Sequence, residues 1–151
     1  MSNCLCNCEP IINLTPHGTK LKKNLEYCLY FFVILTIFKI FFIDFNDVIG
    51  DLILFLIMIL TIFQVNYIFA ILLVFLSILH TFGSFLITAL LIQNHFLELD
   101  LNYIDVYYLY TFFYWISLIY YITLTRSAFE AYKEFKAIYM ETSNNSYSKY
   151  I

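Results

Sequence analysis

An all-α integral membrane protein, with four transmembrane helices in an antiparallel bundle and a cytoplasmic C-terminal amphipathic extension, is the fold class that this sequence predicts. Three observations lead there. Of 151 residues, 62% are hydrophobic and only 13% charged, where a soluble domain has about a quarter charged, so there is too little polar surface to cover a water-soluble particle of this size. Four apolar runs reach or approach the roughly 20 residues with which a helix crosses a hydrocarbon core of about 30 Å. Seven of the eight Lys and Arg residues fall outside those runs, near the two ends of the chain.

Residues 1–24 are polar and carry Cys4, Cys6 and Cys8. No short apolar stretch followed by small residues opens the chain, so no cleavable signal is expected. The first membrane helix is expected over 25–43, interrupted by Lys39, and the second over 48–63. Asp44-Phe45-Asn46-Asp47, with Gly50 and Asp51 just beyond, is too polar for lipid and suits a turn and a helix cap. Gln64-Val65-Asn66 makes a shorter turn into a third helix over 67–92, so the second and third should form an antiparallel hairpin. The fourth helix is expected over 103–125, followed by an amphipathic helix over 126–141 and a disordered tail over 142–151.

Orientation follows from the basic residues, which gather on cytoplasmic flanks. Lys20, Lys22 and Lys23 precede the first helix, and Arg126, Lys133, Lys136 and Lys149 follow the last. Four crossings put both ends in one compartment, so both termini are expected in the cytoplasm. The loops on the other side carry only acids: Asp44, Asp47 and Asp51 in one, Glu98, Asp100 and Asp105 in the other. An endomembrane is the expected residence, with the mitochondrial inner membrane as the alternative; the lack of an Arg-rich presequence speaks against import into the matrix.

Two helical faces stand out. Ser77, His80, Thr81, Ser84 and Thr88 share about 100° of arc when each residue turns the helix by 100°. An ionisable His80 inside a membrane marks a candidate site, and a histidine bonded to a neighbouring helix accounts for it equally. On the fourth helix Tyr103, Tyr107, Tyr110, Tyr114, Ser117 and Tyr121 form a matching line within about 80°, a face on which rings pack and hydroxyls seek acceptors. These two stripes are expected to face each other. Lys39 is expected to pair with Asp44, Asp47 or Asp51.

Cys4, Cys6 and Cys8 stand where thiols can be acylated. With His17 they lack the paired Cys-x-x-Cys spacing of a zinc site, and the acidic loops match no metal signature, so neither metal nor cofactor is expected. A net charge of −3 offers no basic field for nucleic acid. The expected partners are the lipid bilayer and other membrane proteins, or a cytoplasmic protein at 126–141. No nucleophile with its base and no phosphate loop is present. The sequence therefore points to a non-enzymatic protein acting by association, as a trafficking or scaffold factor or an accessory subunit of a membrane assembly. Two alternatives stay open: a transporter or proton-handling channel using the Ser/His/Thr stripe, and an accessory subunit of a respiratory-type complex.

Overall fold

The computed structural model describes residues 14–42, 45–97 and 104–147, with side chains described over 14–41, 50–93 and 108–141. Among them are four helices and no strand: α1 (Pro16–Phe42), α2 (Phe45–Gln64), α3 (Tyr67–Leu97) and α4 (Ile104–Tyr147). α1 starts well before the apolar run at Leu25, for a local reason. The Thr15 hydroxyl accepts the Gly18 N–H at 2.9 Å, and Pro16 occupies the first helical position, where its missing N–H costs nothing. The turn between α2 and α3 is only two residues long. Val65 adopts φ 49° while its N–H donates to the Thr61 carbonyl at 3.1 Å, ending α2 with a left-handed residue. Asn66 then caps α3, its Oδ1 accepting the Ile68 N–H at 2.9 Å.

The helices form a ring in which each packs on two neighbours: α1 on α2 and α4, α3 on α2 and α4. Neighbours run antiparallel. Thr15, just before α1, donates to Glu134 of α4 and the Cys28 carbonyl of α1 accepts from Tyr120, while the ring of Tyr67 of α3 lies tilted against that of Tyr139 and Ser77 meets Thr125. The core joins Leu25, Phe32 and Leu35 of α1 to Leu54 and Met58 of α2, Leu73 of α3 and Leu124 of α4.

α4 is one continuous helix. The segment expected as its amphipathic continuation carries Ala128, Ala131, Phe135 and Ile138 buried in the bundle, where the early start of α1 supplies a neighbour for that face. The helix also runs to Tyr147, into the stretch expected to be disordered, and no Pro or Gly interrupts it there.

Two of the four helices, over Pro16–Phe41 and Tyr67–Gln93, are long and apolar enough to cross a bilayer; Gly50–Gln64 is apolar but shorter. Only 22% and 28% of their most apolar windows are buried. The core helix of a water-soluble protein would be mostly covered. Here Phe41, Phe63, Phe75, Phe82 and Phe112 point outward instead.

Candidate functional site

One side chain from each helix converges on a single polar node. Lys39 lies about a turn from the end of α1, and Asp51 about a turn and a half into α2, so the α1–α2 hairpin brings them to neighbouring heights. The Lys39 ammonium donates to Asp51 Oδ2 at 2.7 Å and to the Tyr121 hydroxyl at 3.1 Å. The Tyr121 O–H donates in turn to Asp51 Oδ1 at 3.1 Å. His80 completes the group, with Nδ1 3.7 Å from Asp51 Oδ1 and its ring 5.2 Å from that of Tyr121. Asp51, one of the three acids expected to pair with Lys39, does so.

The meeting of Asp51 and His80 follows from the short turn. Asp51 precedes Gln64, the last residue of α2, by thirteen positions, and His80 follows Tyr67, the first of α3, by thirteen. At 1.5 Å per residue both stand about 20 Å from the turn. The same register pairs Leu54 with Ser77, Met58 with Leu73 and Thr61 with Ala70, all buried. Gly50 leaves room for the imidazole: a Cβ there would come within 3.4 Å of His80 Cε1.

Burial decides what this group can do. Lys39 is 7% exposed and Asp51 and Tyr121 1% each, whereas the His80 side chain keeps 23%. Taking an isolated charge out of water costs on the order of several kcal/mol unless a partner and hydrogen bonds offset it. Each Asp51 oxygen has a donor, and Lys39 has two acceptors. The node therefore works first as a lock between helices, with His80 as its outermost member.

The two stripes come together around it. Ser77, Ser84 and Thr88 of α3 are buried, as are Tyr114, Ser117 and Tyr121 of α4. The Thr125 hydroxyl stands between the Tyr121 carbonyl at 2.7 Å and Ser77 Oγ at 3.0 Å. Ser77, Thr81 and Thr88 spend their hydroxyls on carbonyls of their own helix, at Val74, Ser77 and Ser84, which is how such residues satisfy themselves in apolar surroundings. They form a packing surface, not a chain of free polar groups. Tyr110 is half-buried against α1, lining a cleft with Phe31 and Phe38. Ser117 Oγ is buried with no partner among the described residues.

Cys4, Cys6, Cys8, Asp44, Glu98, Asp100 and Tyr103 lie outside the described residues, as do the side chains of Asp47, Asp105 and Tyr107. Among the described residues no group of His, Cys, Asp and Glu is placed to share a metal ion. One buried contact escapes periodicity. Tyr120, off the expected stripe, is buried and donates to the Cys28 carbonyl at 3.1 Å, a bond visible only once α1 and α4 are side by side. No protein-family model, no curated protein and no solved structure matches the chain.

Proposed function

We propose that this is a non-enzymatic integral membrane protein whose four helices all cross the bilayer, and which acts by association, as a trafficking or scaffold factor of internal membranes or as an accessory subunit of a membrane assembly. The observation that carries this reading is the division of labour between inside and outside. Lys39, Asp51 and Tyr121 are turned inward and hold helix to helix, while the outer surface presents large apolar residues that only lipid or protein can cover. The shared end of α1 and α4, marked by the Thr15–Glu134 contact, supports placing both termini on one side. The flanking Lys and Arg residues make that side the cytoplasm.

Purification of the tagged chain in mild detergent tests the reading. A membrane protein recovered in fixed stoichiometry is the expected result; a chain recovered alone from every membrane fraction would remove its support.

A second reading, proton handling, is favoured by one feature: His80 is partly exposed yet within 3.7 Å of Asp51, so the lock has an outward-facing titratable member. The variant His80→Leu, reconstituted in liposomes, separates the two. Unchanged assembly with unchanged proton permeability supports association. Loss of a pH-driven flux with assembly intact would put proton handling in its place.

A further inference from the structure

A groove of about 690 Å³ runs along the outside of the bundle between α3 and α4. Val74, Ile78 and Phe85 wall it on one side and Leu118 and Ile122 on the other, and Arg126 and Phe129 stand at its head. The two threonines that border it offer it little polarity, because Thr81 is bonded to the Ser77 carbonyl and Thr125 to the bundle interior. From Phe129 to Leu118 the groove follows α4 for about 17 Å at 1.5 Å per residue. That is close to half of a hydrocarbon core of about 30 Å, the depth of a single leaflet.

The head of the groove is charged. Between Val106 and Thr125 α4 has no charged residue, and Arg126 is the first, so the boundary of the apolar zone on this helix coincides with the groove's end. The Arg126 side chain is 84% exposed, and its Nε donates to Glu130 at 3.2 Å. A guanidinium has five donors, and Glu130 is the only partner Arg126 has among the described residues. Lys133, seven residues beyond Arg126 along α4, places its ammonium 4.5 Å from the centre of the ring of Phe129, at the head of the groove. Two cations against one carboxylate leave this end positive.

We propose that the groove seats one acyl chain of an anionic glycerophospholipid, with the phosphate held by Arg126 and Lys133. The shape favours a chain over a protein helix. A helix about 10 Å across and as long as the groove would displace roughly twice its volume. The charge favours an anionic headgroup over a zwitterionic one, whose own cation would face Arg126 and Lys133. The assignment rests on the reading that α3 and α4 cross the bilayer.

The test uses the full chain in nanodiscs of phosphatidylcholine and phosphatidylserine in equal parts, with retained lipid counted by native mass spectrometry. The wild type retains phosphatidylserine in preference. Arg126→Gln, at an exposed position, lowers that preference about tenfold, as expected for the loss of a hydrogen bond to a charged group. Ile78→Trp, which fills the groove, lowers retention of both lipids. Equal retention of the two lipids by the wild type, or an Arg126→Gln variant that behaves as the wild type, would overturn the proposal. So would a photo-crosslinker at Phe82 that captures a second copy or another protein in place of lipid. Alkaline extraction keeps the two claims apart. Release of the chain from membranes rejects the crossing itself, whereas a chain that stays embedded but shows no headgroup preference rejects only the lipid site.

Discussion

At the residue scale the fold turns on Lys39 and Asp51. A buried pair is worth little relative to apolar residues of the same size, but removing one partner strands the other charge and costs roughly 3–5 kcal/mol. Lys39→Met is therefore expected to destabilise the chain by about that amount, and Asp51→Leu likewise. The double variant should recover most of the loss. Unfolding by denaturant in micelles measures all three, and additive losses would show that the pair is not coupled. The pairing was legible in the sequence as far as a choice of three acids. The choice itself needed the helix geometry, which carries Asp51 about a turn and a half into α2, where it is buried and meets a lysine from α1. The contact of His80 with Asp51 was legible too, from equal counts on either side of Gln64-Val65-Asn66, but only if the two helices are read as a hairpin with one register. Taken helix by helix, the histidine belongs to one stripe and the aspartate to a loop. Tyr120 was not legible: its burial depends on α1 lying against α4, which no local period encodes.

At the element scale the tightest feature is the turn from α2 to α3. Holding the β-branched Val65 in the left-handed region costs roughly 1–2 kcal/mol, and it is held by its packing against the core and by the cap that follows. Asn66→Ala removes the acceptor for the Ile68 N–H and is expected to lower stability by about 1 kcal/mol, read as a downward shift in melting temperature. Gly83 gives the opposite sign. It sits inside α3 with nothing within 4 Å of a Cβ added there, so Gly83→Ala should raise stability by about 0.5–1 kcal/mol through backbone entropy alone. A loss at that site would mean that a neighbour closes on Gly83. The lengths of the elements were less legible than their order. Hydropathy finds where a helix is apolar, whereas α1 begins at a Thr-Pro cap ahead of its apolar run and α4 runs on to Tyr147 with no Pro or Gly to stop it. A polar stretch at the end of an apolar run therefore reads as a boundary when the backbone has none.

At the scale of the whole molecule, charge and hydropathy do not end at the same height. Two contacts mark a common stretch of α3 and α4, the ring pair of Tyr67 with Tyr139 at 5.1 Å and the Thr125 hydroxyl 3.0 Å from Ser77. Within that stretch, about 15 Å along α3 at 1.5 Å per residue, α3 exposes Ile68, Ile71, Leu72 and Phe75. Over the same interval α4 exposes Arg126, Glu130 and Lys133 together with Phe129 and Tyr139, and α1 adds Lys20 and Lys23 beside it, so the charges fall on this side alone. One side of this end of the bundle is apolar and the other charged. A flat boundary perpendicular to the helices would strand either the apolar residues in water or the charges in hydrocarbon, and transmembrane helices avoid such conflicts by tilting and by extending long cationic side chains to the interface. If the four helices cross the bilayer as proposed, the bundle should therefore lean so that the α2–α3 turn sits deeper than the facing parts of α1 and α4. Single spin labels at position 71 and at position 133, in otherwise cysteine-free protein in bilayers, test this directly. Oxygen, which concentrates in lipid, should broaden the signal at 71, and a water-soluble nickel chelate should broaden the signal at 133, although the two residues lie at nearly the same height. Equal access of the nickel chelate to both would mean that the apolar side of this end stands clear of the bilayer and awaits a protein partner.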